Sequence, residues 1–232
     1  MLLWRIILLL MVFKSAFATQ ERFDLRIHMT DKNVSKAVLS IAESFSKQTG
    51  TSIAITTNLD KESLLSDIKT GKLVDVIISS DSEFFIQLKQ EGLLNSTYYT
   101  PLFYENLVYA SVNTKYKFFD GSRDVIHIAL EQDKPLFFDK FTKIDGQVFS
   151  DCKALKNIDS KYKYAIIRQN LAKKCNMSVL GEVYLERAFT YNIGIVVTNN
   201  FKDALKFYNF VTNDDSGLVA KSIKHENFNL SQ

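Results

Sequence analysis

The chain has 232 residues, of which 46% are hydrophobic and 24% charged, enough apolar material for one large domain or two small lobes. Its 29 basic and 26 acidic residues leave a formal charge of only +3, which argues against a nucleic-acid partner or general attraction to anionic lipid. The three histidines, His28, His127 and His225, are scattered and share no metal-ligand spacing.

Met1–Arg5 ends in a positive charge, Ile6–Phe13 is wholly apolar, and Ala16-Phe17-Ala18 is a small-x-small cleavage signal. That order predicts a secretory signal peptide over residues 1–18, cleaved near Ala18. The apolar run is shorter than the ~20 residues needed to cross a bilayer, and Lys14 closes it. The expectation is a soluble, periplasmic protein that starts near Thr19. Losing Arg5 and Lys14 would bring its formal charge to +1, and Trp4, the single tryptophan, would also be lost.

Leu25–Met29 reads as a strand. Val34–Gln48 follows with Ala37, Val38, Ile41, Ala42 and Phe45 at helical spacing, and Gly50 suits its stop. Ser52–Thr56 is a second strand. Lys61–Thr70 is a helix with Leu64, Leu65 and Ile68 on one side, stopped by Gly71. Val74–Ile78 is β-branched and apolar apart from Asp75, the pattern of a buried strand. It ends in the small polar tetrad Ser79-Ser80-Asp81-Ser82, which opens a helix over Ser82–Glu91 with Phe85, Ile86 and Leu88 apolar and Gly92 at its end. This β-α-β-α-β-α run with short loops calls for a parallel sheet covered by helices.

Asn106–Val112, Ile126–Leu130, Tyr164–Arg168 and Tyr191–Val197 read as further strands, with a helical stretch between Asp151 and Ile158. Phe201–Thr212, with Ala204, Leu205, Tyr208 and Phe210 among its apolar positions, and about Gly217–Ile223 read as helices. Cys152 and Cys175, an isolated pair in an exported chain, are expected to form a disulfide. No repeat, low-complexity tract or floppy linker occurs.

Over Leu25–Val112 the sequence resembles the periplasmic molybdate/tungstate-binding proteins, the solute receptors of ABC importers. The resemblance rests on the strand, small-residue turn and helix of Met29–Lys36, on Phe-x-x-x-x-Gly at Phe45–Gly50, and on Leu-x-x-x-Ile-x-x-Gly-x-x-x-Asp-Val-x-Ile-Ser-x-Asp at Leu64–Asp81. Gly92-Leu93 and Asn106-Leu107-Val108 also fit, and the match returns at Tyr191–Val211, YNIGIVVTNNFKDALKFYNFV. Together these segments span roughly half of the expected mature chain. The resemblance implies a type II periplasmic-binding-protein fold of two α/β lobes, each a mostly parallel sheet flanked by helices, joined by two crossing strands. It places residues 19–104 and 192–232 in one lobe and 105–191 in the other, with an anion held between them.

Helix N-termini carry unpaired N–H groups and partial positive charge, so several aimed at one cleft can hold an anion. The family puts small hydroxyl residues at two such mouths. Here those places hold Thr30-Asp31-Lys32-Asn33 and Asp60-Lys61-Glu62-Ser63. Where the family has a ligand-reaching Tyr at the end of a second-lobe strand, this chain has Ala165-Ile166-Ile167-Arg168, and arginine offers a planar fork of donors for an oxyanion. Residues 131–150 do not match the family's second lobe. Thr30, Lys32, Asn33, Lys61, Ser63 and Arg168 are therefore the candidate ligand-binding residues, with capping the competing role for Ser79 and Asp81 and surface charge the competing role for Arg168 and the lysines.

Three functions compete. The leading one is a monomeric binding protein, not an enzyme and without a cofactor, that captures a small anion and presents it to a membrane permease of an ABC importer. The alternative is a ligand-free or sensor-type envelope interaction module on the same fold. The third is a hydrolase or transferase, for which the chain offers no G-x-S-x-G, H-E-x-x-H or phosphate-cradling loop.

Overall fold

The computed structural model describes residues 23–57, 60–72, 74–112, 116–121, 123–130, 146–183, 189–198, 200–213, 217–225 and 228–230. The expected signal peptide and residues 131–145 of the departing segment lie outside them.

The first sheet begins with strands β1 (Leu25–Met29), β2 (Ile53–Thr57) and β3 (Val76–Ser79), connected by helices α1 (Ser35–Thr49) and α2 (Lys61–Lys69). β1 pairs in parallel with both β2 and β3. Helix α3 (Ser82–Gln90) then leads into the long strand β4 (Leu94–Glu105). With β10 (Phe189–Val196) and β11 (Asn229–Leu230) these form a six-stranded sheet in the order β11-β4-β10-β3-β1-β2. β10 runs antiparallel to β3 and β4, so the sheet is mixed.

Period-2 alternation divides β3 between two cores. Val76 and Ile78 join α1 together with α5 (Phe201–Thr212) and α6 (Leu218–His225), whereas Ile77 packs on the other face with Leu64, Leu65 and Ile68 of α2 and Phe84, Phe85 and Leu88 of α3. Asp75, the odd polar residue of that run, is fully buried; it accepts from the Arg26 amide at 2.8 Å and the Thr198 hydroxyl at 2.7 Å. Helix α1 buries the five residues its spacing marked. It stops at Gly50, where φ of 71° lets the amide reach Ser46 O at 2.8 Å.

In two helices the buried set differs from the apolar positions named from the sequence. Phe84, not Ile86, fills the core beside Phe85, leaving Ile86 exposed. In α5 the buried set is Ala204, Phe207, Tyr208 and Val211, with Leu205 and Phe210 half-buried at its margin. Stretches of four or more apolar residues fix a helix but leave its rotation to tertiary packing.

The second sheet takes β5 (Leu107–Ser111), β6 (Val125–Leu130), β7 (Gly146–Phe149), β8 (Tyr164–Arg168) and β9 (Ser178–Glu182), in the order β7-β6-β8-β5-β9. β6 is parallel to β7 and β8, and β5 is antiparallel to β8 and β9. Its core includes Val108, Ile126, Ile128, Ala165, Ile167 and Leu171, the last on the short helix α4 (Gln169–Lys174). The stretch expected to be helical before Ile158 forms a 3-10 turn at Ala154–Asn157. Cys152 and Cys175 are joined as a disulfide, closing a loop of 23 positions within this half.

The chain passes between sheets at Asn106, the one residue separating β4 from β5, and returns to the first sheet in β10. Leu107 and Phe189, at the two crossings, and Ile166 of β8 belong to the same buried cluster as the first sheet. The two halves therefore share apolar contact at the crossings.

Candidate functional site

Because β1 and β3 are parallel neighbours, their C-terminal ends emerge together. The Thr30 amide donates to Ile78 O at 3.2 Å, and the Thr30 and Ser79 hydroxyls are hydrogen-bonded to each other. Ser79, fully buried, also accepts from the Asp81 amide at 3.0 Å. Asp81 caps α3 by accepting from the Phe84 amide at 3.1 Å and forms an ion pair with Lys61. Burial opposes ionisation of Asp81, but Lys61 and the helix amides outweigh it and hold the carboxyl below its ordinary range. At the neighbouring mouth Asp60 caps α2, accepting from the amides of Glu62 at 3.1 Å and Ser63 at 3.2 Å. The polar tetrad at the end of β3 is thus a capping and tethering device.

Lys32 and Ser63 are exposed, Thr30 is half-buried, and Lys61 is exposed with its ammonium on Asp81. Asn33 opens the approach to α1 in a 3-10 turn, Lys32–Val34, and its side chain lies outside the described set. Helix α1 has no side-chain cap hydrogen bond, unlike α2 and α3.

Arg168 ends β8 and is the largest fully buried side chain among the described residues, 1% exposed. Its fork is engaged by carboxylates. Nε and Nη2 donate to Glu105 Oε2 at 2.9 and 2.6 Å, while Nη1 and Nη2 face Asp31 Oδ2 at 3.4 and 3.5 Å. Nη2 also donates to the Tyr191 hydroxyl, which itself donates to Asp31 Oδ2 at 2.8 Å. The guanidinium carbon lies 4.6 Å from the Phe189 ring centroid. The second oxygen of Glu105 accepts from the Asn170 amide at 2.8 Å, at the start of α4. Burial pushes the Glu105 carboxyl up against the pull of Arg168, and pushes the Tyr191 phenol well up, so that it stays a donor.

Three of the six predicted residues, Thr30, Lys61 and Arg168, enter these contacts, each through a partner outside the predicted set; these contacts do not reach Lys32, Asn33 or Ser63. Arg168 meets Asp31, the sequence neighbour of Thr30 and Lys32; Lys61 meets Asp81, which is tied through Ser79 to Thr30. Three members escaped the sequence reading: Asp31, Glu105 and Tyr191. Of these, Glu105 carried a signal: it is the lone acid of Leu102–Val108, a stretch otherwise apolar but for Asn106, as Arg168 is the lone base closing the apolar Tyr164–Ile167. Charges in such settings need a partner. Among the described residues, no three or more His, Cys, Asp or Glu are grouped to hold a metal, and no helix is long and apolar enough to cross a membrane.

The model of the bacterial extracellular solute-binding protein family matches residues 28–129. Among solved structures, the substrate-binding domain assigned to a molybdenum ABC transporter from Clostridium difficile superposes with a TM-score of 0.70 at 17% identity, covering 90% of this chain and 99% of that one. The periplasmic molybdate-binding protein of Azotobacter vinelandii gives 0.57 at 14% identity, with 90% and 100% covered. Iron-bound HitA from Pseudomonas aeruginosa gives 0.57 at 13% identity, with 85% and 83% covered. No curated protein matches the chain. The fold is that of the two-lobed periplasmic binding proteins, and the recognition made from the sequence stands at that level.

Proposed function

We propose that the chain is an extracytoplasmic solute-binding protein that takes a small oxyanion between its lobes and delivers it to the membrane permease of an ABC importer. One observation carries this reading: the C-terminal ends of the parallel strands β1 and β8, from different sheets, meet through Asp31 and Arg168. Ligands of open α/β sheets bind outside the carboxyl ends of the strands. The donors this reading assigns to the ligand are the Thr30 and Ser63 hydroxyls, the ammonium groups of Lys32 and of Lys61, the latter now on Asp81, and the start of α1, which has no side-chain cap hydrogen bond. Hydroxyls, cations and helix amides are donors suited to an anion. Closure of the lobes on the ligand is a population shift driven by its preference for the closed form. The signal peptide expected over residues 1–18 and the match to an extracellular family favour a periplasmic setting.

The engagement of Arg168 by two carboxylates favours a second reading, a ligand-free or sensor-type module that keeps the fold and fills the site with its own side chains. A thermal-shift screen of the mature chain against molybdate, tungstate, sulfate, phosphate and small carboxylates separates the two. A bound anion at a hundred times its dissociation constant stabilises by about 2.7 kcal/mol. The proposed reading expects one class of anion to raise Tm; silence across the panel favours the second.

A further inference from the structure

We infer that Asp31 is an interlobe latch on Arg168, occupying the edge of the guanidinium that a captured anion takes on binding. The inference rests on the solute-binding reading of the site. The cluster has a tight side and a loose side. Glu105 holds Arg168 at 2.6 and 2.9 Å and anchors its other oxygen on the Asn170 amide. Glu105 lies two residues before Leu107, whose register partner on the neighbouring strand is Arg168 itself. Glu105 ends β4, where it pairs with Phe189 of β10, so the Glu105–Arg168 pair and the start of α4 sit together at the crossing between the sheets.

Asp31 comes from the opposite half, at the end of β1, and approaches the guanidinium at 3.4 and 3.5 Å. Tyr191 steadies it from β10, also in the first sheet, with a 2.8 Å hydrogen bond. Glu105 and Tyr191 hold the guanidinium closely from the two crossing strands, β4 and β10, whereas the contact from β1, away from the crossings, is the long one. It uses Nη1 and Nη2, the two-nitrogen edge that binds a planar or tetrahedral oxyanion bidentately at shorter range.

Charge makes the exchange selective. Removing Asp31 from the guanidinium and putting an anion in its place keeps the local balance; a neutral solute in that place leaves it disturbed. The latch also favours the closed arrangement before any solute arrives, so part of the binding free energy goes into displacing Asp31.

Asp31→Asn in residues 19–232 tests this, with Tyr191→Phe as the milder variant that removes the hydroxyl donating to Asp31 and accepting from Arg168. Small-angle scattering without ligand is the first readout. The latch predicts a larger radius of gyration for D31N than for wild type, with Y191F between them, and circular dichroism confirming folded protein. The second readout is calorimetric titration with sulfate, phosphate and molybdate. If the latched form holds about nine-tenths of the ligand-free population, D31N binds the accepted anion about tenfold more tightly. Unchanged scattering in both variants overturns the latch, whatever any anion does. Opening of D31N with no anion bound by either protein retains the latch and defeats the capture reading. Weaker anion binding by D31N overturns the exchange.

Discussion

Arg168→Met removes the cation of the buried cluster at nearly constant side-chain length. Glu105 is fully buried, and the side chain of Asp31 is 7% exposed, so neither carboxylate gains water in exchange. Breaking a buried ion pair from one side destabilises by about 3–5 kcal/mol, because the remaining charge stays desolvated and unpaired. In a chain of this size each kcal/mol moves Tm by about 2–4 °C, so the melting temperature should fall by roughly 6–20 °C. Scanning calorimetry measures it. Adding Glu105→Gln to the same chain removes the stranded carboxylate that Arg168 holds most tightly and should recover a large part of the loss. A fall of under about 2 °C for R168M, or no recovery in the double variant, refutes the view that Arg168 is the counter-charge of this cluster.

Further outcomes follow from the same contacts. Replacing both Cys152 and Cys175 by Ala should lower stability by about 3 kcal/mol on the chain-entropy model, read as a shift of the urea midpoint under oxidising conditions. Gly194→Ala would put a Cβ 2.7 Å from Leu94 Cδ1 and 2.9 Å from Phe85 Cε1, where β10 presses on α3, and should cost about 1–3 kcal/mol in the same assay. Burial lowers the His127 imidazole to about 4, against 6.5 unperturbed. Its contribution is complete above pH 6.5 and is lost as pH falls toward 4, because the unfolded chain takes the proton first. His28 shifts in the same direction, again through burial. Glu105, raised by burial, works oppositely, its contribution being lost as pH rises through its folded value. Urea midpoints of wild type and His127→Gln at pH 7 and pH 5 isolate the histidine: the wild type should lose more between the two.

The first half of the fold could be read in the sequence because its signals are local. Alternation in Leu25–Met29, the stripe on α1 and the glycines at 50, 71 and 92 each act within a few residues. Strand β4 was missed because Asn95-Ser96-Thr97-Tyr98-Tyr99-Thr100 shows no clean alternation; it is a strand through pairing with β10 and, near its end, with β11. Pro101 interrupts the pattern further, beyond the two residues that β11 pairs. Helix α4, six residues long, is too short to show a period.

At the site, the sequence supplied residue types and strand-end positions but not partners. Arg168 was legible as a lone base closing an apolar strand. Its link to Asp31 spans 137 positions and its link to Glu105 spans 63, distances over which no local pattern acts. The same holds for Lys61, whose pairing with Asp81 depends on α2 and α3 opening side by side.

In the proposed function a small anion binds between the ends of β1 and β8, which lead to Thr30 and Lys32 and carry Arg168, and the start of α2, which carries Ser63. Isothermal titration of the anion that most raises Tm, into residues 19–232 and into their Lys32→Gln and Ser63→Ala variants, decides it. The account predicts one saturable site per chain, weakened in both variants while their melting temperatures without ligand match wild type. Absence of saturable heat for every anion, or affinity unchanged in both variants, would contradict it.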